Sequence, residues 1–303
     1  MITFPVNSLF IEGPDCSGKT TLIRKIHDKT AYQWHIHDRS QISRKIFADL
    51  YDRCISNIDY DLHAELSNLN NRFIFLLPSF DVIRERFLKR GDELHDSIES
   101  IEKVYNSFLS KRSFFEKFPN IQYYSRENTD EILLKVLSQL RENSHPSIQD
   151  ISKQIIEFVK CNGGESYPLS FTIYDDCNFE EANSEILNYE PEAEYYAKIF
   201  KKLHDKITDE LDGKNEYARK ECIFSRRFVY TDSSCVSFIQ VSLRDNVMDF
   251  HTVIRSSDVK EIFPHDLTFL YYLASTCFKR YFSQHDCFSA RLRFDLNSAH
   301  IIR

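Results

Sequence analysis

Residues 13–20 read GPDCSGKT. A glycine, four residues, a second glycine, a lysine and a hydroxyl residue form a pattern that can hold phosphate. Gly13 and Gly18 let backbone N–H groups close around phosphate oxygens. A helix opening near Gly18 points its positive end at them. Lys19 can reach the β- and γ-phosphates, and Thr20 can offer its hydroxyl to Mg²⁺. The expected ATP contacts are Gly13, Pro14, Asp15, Cys16, Ser17, Gly18, Lys19, Thr20 and Thr21, with ATP and Mg²⁺ as the expected cofactors.

The chemistry implied is phosphoryl transfer, which draws on positive charge and positioning more than on covalent steps. Arg39, Arg84, Arg86 and Arg90 can supply that charge. Arg90, just before Gly91, is the expected mobile cation. Arg84 and Arg86 read equally well as a solvated helix face. Asp38 can hold Mg²⁺ through water or anchor Arg39, so Thr20 and Asp38 are the expected metal ligands. Asp15 is expected to orient the acceptor. The catalytic set expected in this half is Lys19, Arg39 and Arg90.

The elements around the motif alternate. LFIEG is a short apolar strand that runs into the loop, and KTTLIRKIHDKT is a helix with Leu22 and Ile26 on one face. YQWHIH reads as a strand. Ile42, Ile46, Leu50 and Cys54 mark one helix. RFIFLL suits a buried parallel strand. SFDVIRERFLKRGDE and SIESIEKVYNSFL are helices, IQYYS a strand, and TDEILLKVLSQL a helix with Thr129 as its expected cap. Alternating strand and helix imply a parallel α/β sheet. The polar stretch RENSHPSIQD places a boundary there, giving domains 1–143 and 144–303.

The second half is α+β. Ile148, Ile151, Ile155 and Val159 mark a helix, LSFTIYDD a strand, and residues 193–212 a long helix ending at Gly213. Three strands follow in IFSRRFVYT, CVSFIQVSL and VMDFHTVIR, the last two joined at RDN like a hairpin. DLTFLYYLASTCFKRYF is an apolar helix and FSARLRFDL a final strand.

A net charge of −7 does not favour tight DNA binding, although a local basic groove is compatible with it. Eight cysteines without a C-x-x-C pair speak against a disulfide scaffold or zinc and fit reduced thiols in a cytoplasm. No apolar run is long enough to span a membrane.

Three stretches of the first half, FIEGPDCSGKTT, HDRS at 37–40 and RERFLKRGDELHDSIESIEKVYNSFL at 84–109, resemble thymidylate kinases and related P-loop nucleoside monophosphate kinases. The likeness covers roughly residues 8–142 and implies an α/β P-loop kinase domain acting on a deoxynucleotide. One departure is the short span between Lys19 and Asp38, where that family carries much of its acceptor pocket. The substrate therefore does not carry over.

CVSFIQVSLRDNVMDFHTVIRSSDVKEIFPHD, residues 235–266, resembles the core of thymidylate synthases and pyrimidine hydroxymethylases. Cys235, Gln240, Arg255, Ser256, Asp258, Pro264 and Asp266 fall in the family's register. SRR at 225–227 resembles its subunit-crossing arginine pair, and SAH at 298–300 its sugar-contact motif. The resemblance implies a nucleophilic thiolate at Cys235. It also implies a phosphate grip by Arg226, Arg227 and Arg255, further nucleotide contacts from Ser256, Asp258, Asp266 and His300, and a homodimer through this domain. Taken alone, Cys235 would read as a small buried hydrophobe. Asp266 stands where uracil-using members have Asn, which implies a preference for cytosine; its plain alternative is a cap on the helix DLTFLYYL.

Other departures weaken the one-carbon chemistry. No counterpart of the family's catalytic Glu helix is visible between residues 165 and 220. Ile262 replaces a Gly, Ile302 a Tyr, and the closing segment after His300 is short. Folate is left poorly held, and methylation is expected to be weak or absent. Together the resemblances imply an ATP-dependent deoxynucleotide kinase fused to a nucleotide-binding, synthase-like domain, a pairing suited to viruses with modified pyrimidines and to the host cytoplasm. A kinase acting on a modified base in DNA, and a regulator with two degenerate sites, are the alternatives.

Overall fold

In the computed structural model, residues 1–90, 95, 97–125, 128–141, 146–211, 228–244, 246–282 and 289–302 are described. The chain divides into two units, one of Val6–Asn143 and one of Met1–Pro5 with Ser144–Arg303. In chain order, β1 (Ile2–Thr3) precedes the first unit's elements. These are β2 (Ser8–Glu12), α1 (Lys19–Thr30), β3 (Ile36–Asp38), α2 (Gln41–Leu50), α3 (Ile58–Leu66), β4 (Asn71–Leu76), α4 (Phe80–Arg90), α5 (Ile98–Phe115), β5 (Ile121–Tyr124) and α6 (Thr129–Arg141). The second unit continues with α7 (Ile148–Cys161), β6 (Glu165–Ser166), β7 (Leu169–Asp175), α8 (Ala193–Leu211), β8 (Phe228–Thr231), β9 (Val236–Arg244), β10 (Val247–Ile254), β11 (Ser257–Asp258), α9 (Phe263–Cys277), β12 (Ser289–Leu296) and β13 (Ala299–His300).

The Val6–Asn143 unit is an α/β domain of P-loop type. Its sheet has the order β3-β2-β4-β5 with every pair parallel. Parallel strands bury both faces, and β2 and β4 accordingly carry buried apolar runs, Leu9 to Ile11 and Phe73 to Leu76. Leu22 and Ile26 of α1 pack with Leu9, Ile11, Ile74 and Leu76, and with Ile132, Leu133, Val136, Leu137 and Leu140 of α6. On the aromatic side Phe10 stacks on Phe73 at 4.9 Å, and Phe75 stacks on Phe115 of α5 at 6.2 Å. The rigid sheet carries the carboxyl ends of β2 and β3 side by side, where ligands of such sheets bind.

The second unit is built on a mixed six-stranded sheet of order β1-β7-β12-β10-β9-β8. Only β10 and β12 pair in parallel; the other neighbours are antiparallel. Strict alternation of buried residues along β7, β10 and β12 marks one covered face. Phe171 meets Phe263 of α9 edge-on at 6.2 Å, and Tyr196 of α8 stacks on Phe269 at 4.3 Å. A small separate sheet joins β11, β13 and β6.

Several local expectations are corrected. Residues 1–5 do not belong with the phosphate loop. Ile2 and Thr3 pair with Asp175 and Tyr174, the terminal ammonium meets Asp175 and Asp176, and Phe4 stacks on Phe171. The strand YQWHIH shrinks to β3 because Ala31 and Tyr32 take left-handed turn conformations. Helix α2 stops at Leu50, where Arg53 N–H returns to Ala48 O, so Cys54 lies outside it and α3 follows as a further helix. Thr129 is not the cap of α6. Asn128 is, its side chain accepting from Asp130 N–H at 2.9 Å.

Candidate functional site

The loop after β2 is shaped by backbone that only particular residues tolerate. Gly13 has φ 139° and Gly18 φ 102°, and Cys16 sits at φ 60°. Helix α1 then starts at Lys19, with its free N–H end facing the loop. Ser17 is buried, and its Oγ has no partner among the described residues. Lys19 is 6% exposed and folds back, Nζ donating to Pro14 O at 2.9 Å and lying 4.0 Å from Asp15. Burial first, then the neighbouring Arg39 charge, lower its pKa against the opposing pull of Asp15, Asp38 and Glu12. Lys19 is therefore a desolvated cation held by its own loop.

Asp15 is a meeting point of three cationic or polar groups. Its Oδ1 accepts from Arg39 Nη2 at 2.5 Å, and its Oδ2 lies 3.1 Å from His95 Nε2. Burial opposes ionisation of Asp15, but Arg39, Lys19 and His95 outweigh it, and its pKa falls below the usual carboxylate range. Arg39 follows β3 at φ 78°, a conformation that costs roughly 1–3 kcal/mol and that clusters at functional sites. Its guanidinium lies 4.8 Å from the Phe47 ring, and its Nη1 is buried without a partner. Arg39 is thus anchored by Asp15. Thr20 and Asp38 are both exposed, one on the first turn of α1 and the other at the end of β3.

Arg86 is not part of a solvated helix face. Its Nη1 donates to Cys16 O at 3.2 Å and Ser17 O at 2.9 Å, bracing the loop from α4. Arg84 and Arg90 are exposed, and Arg90 ends α4. Two groups near the loop escaped the sequence reading. His95 is one. The other is Glu12, wholly buried at the end of β2, which accepts from Ser40 N–H at 2.5 Å and from the Ser43 hydroxyl. Burial raises its pKa despite those bonds. Nearby, Glu65 accepts from Gln41 N–H at 2.8 Å and is pushed up to about 7, by burial first. Glu12 stands one residue before the motif that drew attention, and a lone Glu in a strand carries no pattern.

In the second unit Cys235, Arg255, Ser256, Asp258, Asp266 and His300 come into one neighbourhood. Arg255 N–H donates to Cys235 O at 2.7 Å, Ser256 Oγ lies 3.4 Å from His300 Nδ1, and Ser257 donates to Asp266 at 3.2 Å. Asp258 accepts from the backbone of Lys260, Glu261 and Ile302, which gives it a turn-closing role. Gln240 stands opposite His251 across the β9–β10 pair. Arg226 and Arg227 lie outside the described residues.

Cys235 is exposed, and its thiol pKa is raised, by desolvation first and then by the Asp266 charge, with Arg255 pulling the other way. One alternative for this half is corrected. Asp266 does not cap a helix. Helix α9 begins three residues earlier with Pro264 in its first turn, and the 2%-exposed Asp266 accepts from Tyr196 at 2.9 Å and from Ser257. A carboxylate not visible as a motif, Glu192 just before α8, acts electrostatically on both Cys235 and Asp266.

Burial pushes the Asp266 carboxyl up to about 7. A carboxyl whose pKa is raised on folding favours the protonated native state. Its contribution is complete below about pH 4 and is lost as pH rises through about 7, by up to roughly 4 kcal/mol. Asp266→Asn keeps an acceptor for Tyr196 without the ionisable proton. The variant should therefore gain stability over the wild type between pH 5 and pH 8. Urea unfolding of both proteins at the two pH values measures this, and parallel pH profiles would contradict it.

No protein-family model and no curated protein matches the chain. Among solved structures, the YorR protein of Bacillus subtilis in complex with phosphorylated GDP is 17% identical, with a TM-score of 0.38 over 46% of this chain and 98% of that one. Deoxyadenosine kinase from M. mycoides with the products dCMP and a flexible dCDP bound is 13% identical, with a TM-score of 0.34 over 45% of this chain and 98% of that one. Likenesses this loose transfer neither substrate nor residue roles. Among the described residues no helix is long and apolar enough to cross a membrane.

Proposed function

We propose that residues 6–143 transfer the terminal phosphoryl group of ATP to a pyrimidine deoxynucleoside monophosphate, and that the second unit binds a pyrimidine nucleotide with little one-carbon transfer. The observation that carries the reading is a phosphate loop with two orphaned buried donors beside a desolvated lysine. Among the described residues Ser17 Oγ and Arg39 Nη1 lack partners, and Lys19 is held by a loop carbonyl and Asp15. A buried polar group left unpaired costs about 1–3 kcal/mol, which phosphate oxygens would relieve.

In this reading the loop N–H groups and the start of α1 take the phosphates of ATP. Lys19 leaves Pro14 O for the β- and γ-phosphates, and Arg39 meets the transferring group with its free Nη1. Arg86 keeps the loop closed by holding its carbonyls. The deoxynucleotide acceptor rests on the resemblance of residues 8–142, and its pyrimidine base on that of residues 235–266.

Calorimetry with Mg·ATP, followed by ADP release with dTMP, dCMP, dUMP or hydroxymethylated duplex DNA, tests the reading. Mg·ATP should bind, and a free monophosphate should raise ADP release well above the rate without acceptor. ADP release stimulated only by DNA would replace this acceptor with the modified base. Absence of ATP binding would remove the kinase reading altogether.

A further inference from the structure

We propose that His95 is a positioning residue of the phosphate site, an inference that rests on the phosphotransfer reading above. The chain of contacts runs from a helix to the loop. Ser97 caps α5 by accepting from Ser100 N–H, and Ser100 Oγ lies 3.0 Å from His95 Nδ1. His95 Nε2 lies 3.1 Å from Asp15 Oδ2, while Asp15 Oδ1 holds Arg39 at 2.5 Å. The imidazole is 3% exposed.

Donor and acceptor rules orient the chain. An ionised Asp15 only accepts, so the proton sits on His95 Nε2, and in neutral His95 Nδ1 then accepts from the Ser100 hydroxyl. Each Asp15 oxygen is thus engaged by a different segment of the chain, and the carboxylate cannot turn without breaking a bond. Arg39 is aimed by that carboxylate, and its unpartnered Nη1 has a fixed direction. Behind His95 stands a rigid support, because α5 buries Ile101, Val104, Phe108 and Phe115. Among the described residues the hydrogen bonds of His95 go to Ser100 and the Asp15 side chain, not to the loop backbone or Lys19. Its effect on chemistry passes through Asp15 and Arg39.

Removal of His95 should therefore slow turnover while leaving ATP affinity nearly intact. A group of this kind is worth about 10- to 100-fold in rate. His95→Ala, His95→Gln and Ser100→Ala are compared with wild type by Mg·ATP calorimetry, thermal unfolding and ADP release with whichever of dTMP and dCMP gives the higher rate. The expected pattern is a fall of about 10- to 100-fold in kcat for His95→Ala, an ATP Kd within about threefold of wild type, and a smaller fall for Ser100→Ala. His95→Gln, whose amide can still donate to Asp15, should recover most of the rate. Wild-type kcat in His95→Ala would overturn the proposal. So would a His95→Gln variant as slow as His95→Ala, because the imidazole would then act through packing alone. A wild-type protein that binds no Mg·ATP exposes failure of the underlying reading before any variant is compared.

Discussion

Lys19→Ala is expected to lower phosphoryl transfer by about 10²- to 10³-fold, the usual loss for one preorganised charge-stabilising donor. The wild-type lysine is 6% exposed, and burial has already stripped it of water. Phosphate arriving in the loop meets a cation that needs little further desolvation, so the interaction is strong. Among the described residues Lys19 bonds Pro14 O and approaches Asp15. Pro14 O also accepts from Ser17 N–H, and Asp15 keeps Arg39 and His95. Removing a buried charge whose pKa is lowered leaves no orphaned carboxylate, and the thermal midpoint should move by only a few degrees. ADP release and circular-dichroism melting on the same preparation separate the two effects. Turnover within about threefold of wild type would leave the loop without its assigned role.

What could be read from the sequence is what depends on local spacing. The phosphate loop is legible because its parts act within eight residues, and the helix and strands that flank it follow from short-range pattern. His95 acts on Asp15 across 80 positions in the chain. Its neighbourhood GDELHDS carries no periodicity that singles it out, so only the folded chain shows the contact. Arg86 was ambiguous for a related reason: helical spacing gives a side chain its face but not what that face meets. β1 is two residues long, too short for an alternation signal, yet a register with β7 moves it to the other unit. In the second unit residues 255–258 converge with His300, a meeting that the sequence offered only through a family resemblance. The upward shift of the Cys235 thiol pKa comes from desolvation and Asp266, and neither follows from a motif.

Gly13→Ala should be the most damaging single-methyl change in the first unit. A Cβ built at Gly13 would stand 2.3 Å from Leu76 O and 2.9 Å from Ser17 Oγ. The first of these is backbone at the end of β4, within the core that joins β2, α1 and α6, and it cannot step aside cheaply. The φ of 139° is also outside what an alanine adopts without strain. Clash and strain together should cost about 3 kcal/mol or more, which lowers the melting temperature of a unit this size by roughly 10 °C. Gly18→Ala provides the contrast. Its Cβ would meet only the end of the Arg86 side chain, at 3.3 Å, so φ strain at 102° is the main cost and the brace on the loop is what suffers. Gly18→Ala should therefore melt closer to wild type and lose ATP affinity, whereas Gly13→Ala should destabilise the fold of the unit as well. Differential scanning calorimetry of both variants decides the matter, and a Gly13→Ala protein that melts with the wild type would mean that β2, the loop and β4 are not packed as closely as described.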